Sequence, residues 1–289
     1  MNNKTKGIVL MILSSFFFAL MATAVKSLPE VGVPEKMFFR NAITLMTASF
    51  IIFRKKESFA GNNKKALVLR SIFGLLGVAG NYYALSKLPL ADSEILNKTS
   101  SFFVIILSVL FLNEKVRKQQ VLTIILAFIG ALFVIKPGLS FSIIPALTGI
   151  FGAFFAGAAY TTVRHLSRTD SPNTIVFYFG LISTLAVVPF MLSGNFILSS
   201  LEQFLKLSAI GVSAAIAQYL MAYAYRYAPA GELSIYLYTN IVFSILIGFV
   251  IWNEVPDLMS LAGGALIIIA GLINYHIAKQ YNRSVSGNQ

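Results

Sequence analysis

Ten stretches of about 20 predominantly apolar residues follow one another along this chain. They lie near residues 7–25, 34–53, 66–86, 91–112, 119–135, 145–163, 173–192, 204–225, 231–252 and 257–278. About 20 such residues carry a helix across the hydrocarbon core of a bilayer. There every backbone N–H and C=O must be satisfied within the helix itself. Of the 289 residues, 57% are hydrophobic and only 12% charged, against about a quarter charged in an average soluble domain. Ten spans consume about 200 residues, so the connections are short and hold no separate catalytic or ligand-binding domain. A soluble enzyme and a disordered chain are excluded on the same grounds. With no cysteine in the chain, disulfides, thiolate nucleophiles and cysteine-ligated metals are excluded too. His165 and His276 stand far apart and form no metal-spacing motif. The fold class is an all-α polytopic membrane protein with ten transmembrane helices.

The net charge of +12 belongs to the loops, not to a nucleic-acid-binding face, and it sets topology. With a cytoplasmic N-terminus, sixteen Lys and Arg fall on inner segments, including Lys4, Lys6, Arg54, Lys55, Lys56, Lys64, Lys65 and Arg70. Five (Lys26, Lys36, Lys87, Lys136 and Lys206) fall on outer ones. That excess predicts cytoplasmic termini in a cell (inner or plasma) membrane. The apolar run Ile8–Val25 exceeds the usual signal-peptide core of about 7–15 residues, so it reads as an uncleaved first span. Two cations, Arg40 and Lys98, remain within spans.

The chain repeats itself. Ala24-Val25-Lys26-Ser27-Leu28 with Pro34 matches Thr162-Val163-Arg164-His165-Leu166 with Pro172, at an offset of 138. Tyr83-Ala84 with Pro89 matches Tyr223-Ala224 with Pro229, and Asn113-Glu114 matches Asn253-Glu254, at an offset of 140. Between 83 and 129 that second offset gives eleven identities in 47 positions. The halves are read as 5–138 and 144–279, followed by a short cytoplasmic tail, 280–289. Because each half has five spans, the second must enter the membrane upside down relative to the first. Two inverted five-helix repeats are a common secondary-transporter architecture, with the substrate site near the midplane at their interface.

Phe38-Phe39-Arg40 in span 2, Leu69-Arg70 opening span 3, Tyr83-Ala84-Leu85 with Pro89, Leu112-Asn113-Glu114 closing span 4 and Gly130 in span 5 follow one another in order. This series resembles the EamA family of the drug/metabolite transporter superfamily, ten-helix type, over residues 7–278. The resemblance implies a carrier of small metabolites, a central cavity lined by spans 1, 3, 4, 6, 8 and 9, and no ATP or redox cofactor. Family members often carry a proline about thirteen residues before the Glu that ends span 4. Here Ser101 takes that place and Ile241 its counterpart, so neither helix has a proline there to break it.

Ionisable side chains within a bilayer are costly and mark functional sites by default. In span 4, Glu94, Asn97, Lys98, Ser101 and Ser108 are spaced along one helical stripe, a polar wall with Lys98 facing a carboxylate or phosphate. The alternative is an internal pair, since Glu94 precedes Lys98 at i, i+4 in the favourable order. Arg40 is either a second cationic contact or a packing clamp held by backbone carbonyls and by Asp92 or Glu94. Its recurrence in the family across different substrates favours the clamp. Asn81 and Gln218 are buried amides suited either to a cavity wall or to bonding between helices. Tyr219 shares a stripe with Tyr223 and Arg226. Tyr238 is the repeat counterpart of Lys98, so a cation in one half would face an aromatic ring in the other. Candidate substrate-binding residues are therefore Arg40, Asn81, Glu94, Asn97, Lys98, Gln218, Tyr219 and Tyr238, with no catalytic, cofactor or metal residue.

The functional expectation is a non-enzymatic permease moving amino acids or similar zwitterionic or anionic metabolites by alternating access, with export favoured. Expected partners are the metabolite and the lipid bilayer, with no nucleic acid. Proton or counter-substrate coupling and a monomeric or homodimeric state are both open. Uptake or exchange of a nucleoside-like or S-adenosylmethionine-like metabolite is the alternative carrier. A non-transporting membrane protein is the alternative outside that class.

Overall fold

The structure, a computed structural model, describes residues 3–112, 118–136, 143–193, 198, 200–227 and 233–286. Its first half contains α1 (Asn3–Lys26), α2 (Val33–Lys55), α3 (Lys64–Lys87), α4 (Leu90–Lys98), α5 (Ser100–Leu112) and α6 (Lys118–Ile135). The second contains α7 (Ile143–Leu166), α8 (Pro172–Ser193), α9 (Leu201–Tyr227), a 3₁₀ turn at Ser234–Tyr238, α10 (Thr239–Trp252) and α11 (Leu258–Ser286). Counting α4 with α5, and the 3₁₀ turn with α10, ten helical segments are long and apolar enough to cross a membrane. The segment 280–289, read as a tail, continues α11 as helix to Ser286.

Local chemistry sets the helix ends. Pro34 occupies the first turn of α2, where its missing N–H costs nothing. The Asn63 side chain caps α3 by accepting the Ala66 N–H at 3.2 Å. Asn253 ends α10 in the left-handed region, at φ 56°, a conformation Asn tolerates better than most residues.

Packing follows the repeat. The tightest pairs are α3 with α7 and α1 with α9, which are span pairs 3·6 and 1·8. Spans 5 and 10 (α6, α11) and spans 2 and 7 (α2, α8) pack across the halves. Exchanging the halves turns this set of neighbours into itself. With no hydrophobic drive between helices in lipid, association depends on close van der Waals approach at small residues. A Cβ built on Gly80 would stand 2.7 Å from the Cα of Gly152, so α3 and α7 touch backbone to backbone. A Cβ on Gly263 would stand 2.5 Å from the Gly130 carbonyl, which sets the α6–α11 approach.

Spans 4 and 9, expected to be continuous over 91–112 and 231–252, are both interrupted, without proline. The Thr99 hydroxyl donates to the Leu96 carbonyl at 2.6 Å. The Thr239 hydroxyl donates to the Tyr236 carbonyl at 2.6 Å. These bonds reach back three residues and compete with the i→i−4 ladder, tightening the turn locally. Thr99 and Thr239 are repeat partners, so the same side-chain bond accompanies both interruptions.

Candidate functional site

Lys98 is the last residue of α4 and Tyr238 the last of the 3₁₀ turn. Both predicted counterparts therefore sit at the interruptions. The Lys98 ammonium stands 3.9 Å from Glu94 Oε2, beyond hydrogen-bond length, with side-chain exposures of 17% and 4%. The acid is sealed, while the base keeps an open side. Asn97 lies against Glu94, and the Tyr238 ring lies over Gly271, with its hydroxyl against Ser101. The predicted single stripe does not run through the interruption: Ser101 is exposed, whereas Glu94 and Ser108 are buried.

Helix α1 holds the second interruption in place. Ser14 donates to the Ala217 carbonyl at 2.7 Å, and Ser15 to the Tyr236 carbonyl at 3.1 Å. The Asn240 amide returns a bond to the Ser15 carbonyl at 3.3 Å. These serines were missed in the sequence because a serine in an apolar helix satisfies itself locally as often as not. Asn81 is buried beside the α3–α7 contact, where its backbone nitrogen meets Gly152. Gln218 is half-buried. Tyr219 meets Thr47 of α2 and Tyr223 of its own helix.

Arg40 departs from its expected clamp. Its Nη1 donates to Asn41 Oδ1 at 2.9 Å, and its guanidinium lies 5.2 Å from the centre of the Phe179 ring. Neither Asp92 nor Glu94 pairs with it, because each is taken by a nearer lysine. Asp92 faces Lys136 at 3.9 Å, and Glu94 faces Lys98.

At the membrane face opposite the N-terminus, charged residues join the two halves. Lys26 Nζ pairs with Glu254 Oε1 at 2.6 Å and also donates to the Leu88 carbonyl. Glu254 Oε2 accepts the Leu90 N–H at 3.0 Å. Lys136 bonds Asp257 and, at 2.8 Å, Ser260. Spans 1, 4, 5, 9 and 10 are thus tied together there. The repeated Asn-Glu acquires a physical meaning in its second copy: Asn253 turns the chain and Glu254 fastens it. The first copy, Asn113-Glu114, and Pro229 lie outside the described residues. On the N-terminal face, Asp170 accepts the backbone N–H of Asn62 at 2.6 Å. Glu57 accepts from Ser171 at 2.9 Å and from Asn173 at 3.0 Å.

Ten apolar helices in two halves with equivalent neighbours, two of the spans interrupted, define a multi-pass membrane protein. The family model described as "EamA-like transporter family" matches this chain twice, over residues 5–136 and 143–275. The chain belongs to that family. A pseudopaline exporter, CntI, of Pseudomonas aeruginosa is 33% identical over 266 residues, covering 91% of this chain and 94% of that one. A riboflavin transporter of Brucella anthropi is 31% identical over 211 residues, covering 71% and 74%. Human solute carrier family 35 member G1 is 23% identical over 296 residues, covering 96% and 80%. A solved crystal structure superposes with a TM-score of 0.68 at 15% identity, covering 96% of this chain and 99% of that one, which shows the shared fold.

Proposed function

We propose that this transporter is a secondary carrier of small zwitterionic or anionic metabolites, amino acids or similar compounds, working by alternating access with export as its main direction. The observation that carries the reading is Lys98. Its side chain, 17% exposed, stands at the interruption of span 4, with the ammonium 3.9 Å from Glu94. Tyr238 stands at the equivalent interruption of span 9. An ammonium held at 3.9 Å by its carboxylate partner can still attract a solute carboxylate, and an aromatic ring in the opposite half takes the apolar part of the same molecule. Asn97, Asn81 and Gln218 supply amide contacts. Two halves with equivalent neighbours support an exchange of conformations, and five spans per half support an inverted relation between them. Export is supported by the exporter among the relatives. Cytoplasmic termini in the cell membrane follow from the positive-inside excess.

The test is counterflow of labelled amino acids into proteoliposomes, comparing the native chain with Lys98→Met. Loss of affinity for anionic and zwitterionic solutes in a folded Lys98→Met protein supports the reading. Unchanged affinity removes Lys98 from the site.

A further inference from the structure

Two arginines on different helices converge on one buried ring. The Arg40 guanidinium of α2 lies 5.2 Å from the centre of Phe179 in α8, and the Arg70 guanidinium of α3 lies 4.0 Å from it. Phe179 is 3% exposed and Arg40 7%. Among the described residues no carboxylate pairs with either guanidinium. A buried charge left without a partner costs several kcal/mol, and here two like charges share one ring.

The unsatisfied atoms around that ring specify what is missing. Arg40 Nε, Arg70 Nε, Arg70 Nη1 and Asn41 Nδ2 are all buried without a hydrogen-bond partner. These four are donors, and guanidinium groups have no acceptor capacity; the Tyr82 hydroxyl, also buried without a partner and within range of the Arg40 charge, can add a further donor. A water molecule, itself half donor, matches such a set poorly, whereas an oxyanion is acceptor-only and negatively charged. The backbone makes room for the arrangement: a Cβ on Gly74 would stand 2.7 Å from Phe179 and 2.9 Å from Arg70 Nη1. The counterparts of Arg40 and Arg70 in the second half are Tyr178 and Ile210, so the cations belong to one half alone and not to the duplicated framework.

We propose that Arg40 and Arg70, gathered over Phe179, together with Asn41 beside Arg40, form an oxyanion-binding site that takes the carboxylate or phosphate of a solute. The site shares no residue with the Lys98 group and lies between spans 2, 3 and 7. It rests on the carrier reading only for calling its occupant a solute. The binding itself is measured at equilibrium, without transport, so the two readings fail independently.

The test uses the full-length protein in phosphatidylcholine nanodiscs, titrated with succinate and with inorganic phosphate at constant ionic strength, and with neutral succinamide as control. Saturable binding of succinate or phosphate is expected, and none of succinamide. Arg40→Gln and Arg70→Gln should each weaken binding by about tenfold or more, the loss that accompanies a charge-assisted hydrogen bond. Asn41→Asp is the variant that does not depend on tolerance of a lost charge. It places a carboxylate of the same size beside the Arg40 guanidinium, so it should raise the melting temperature and abolish anion binding. A lowered melting temperature in Asn41→Asp overturns the proposal, as does unchanged binding in the double glutamine variant or no binding of either anion. Repeating the titration in phosphatidylglycerol nanodiscs separates the sources of oxyanion. Equal succinate affinity supports a solute, whereas loss of it there assigns the site to a lipid headgroup and overturns the solute.

Discussion

Neutralising Glu254 should open the face of the bundle opposite the N-terminus. Lys26 and Glu254 meet at 2.6 Å with side-chain exposures of 13% and 25%, and Lys26 also lies 5.3 Å from the centre of the Trp252 ring. Unit charges about 4 Å apart at a partly buried site attract by about 4 kcal/mol before desolvation. Removing one partner of a buried hydrogen-bonded pair costs about 2–5 kcal/mol, and exposed pairs contribute about 0.2–1. For this partly screened pair, Glu254→Gln should cost about 1–2 kcal/mol, a factor of about 5–30 in the balance between closed and open states. The chain has no cysteine, so a single reporter suffices. Ala91, one residue past the Leu90 N–H that Glu254 holds, is 4% exposed. An Ala91→Cys protein should react slowly with a membrane-impermeant maleimide, and the Glu254→Gln version about 5–30 times faster. Lys26→Met should have a similar effect, and combining the two should add little, because both remove one interaction. An unchanged rate in Glu254→Gln, or fully additive effects, would show that the pair does not hold this face closed.

Three further outcomes are expected. Thr99→Val and Thr239→Val keep side-chain shape but remove the bonds that interrupt spans 4 and 9. Each should change stability by only about 0.5–1.5 kcal/mol while lowering counterflow, and equal counterflow in the double variant would separate the interruptions from transport. Gly152→Leu should force α3 and α7 apart and cost about 1–3 kcal/mol or more, read as loss of monodisperse protein on size-exclusion chromatography. Acid should loosen the N-terminal face. The Asn173 hydrogen bond holds the Glu57 carboxyl below its ordinary range. Burial pushes Asp170 upward, but bonds from Thr169, Asn62 and Asn63 outweigh it and leave that carboxyl lowered as well. A group whose folded pKa is lowered stabilises the fold above its unfolded pKa and loses that contribution as pH falls through the folded one. Melting temperature should therefore hold near neutral pH and decline below about pH 4, with a shallower decline in Glu57→Gln/Asp170→Asn.

Hydropathy and loop charge are local properties, so the sequence alone specified the ten spans, the two halves and the family resemblance. A bilayer forbids unsatisfied backbone, which turns each apolar run into a helix with little dependence on its neighbours. Lys98 and Tyr238 were legible as repeat partners through the 140-residue offset. The interruptions beside them were not, because neither span has a proline there, and the threonines Thr99 and Thr239 that bond back at each one are no helix breakers by residue type. Side-chain partnership depends on which helices touch, and hydropathy carries no trace of that. Arg40 illustrates the difference: its spacing allowed a clamp to Asp92 or Glu94, but nearer lysines hold both acids, and Arg40 instead joins Arg70 over Phe179. Likewise Glu254 was visible in the sequence only as part of the repeated Asn-Glu, and packing brought it to Lys26, at the far end of the chain. Near neighbours in sequence determined where the chain crosses the membrane. Distant helices, brought within van der Waals contact by Gly80, Gly152, Gly130 and Gly263, decided which charges meet.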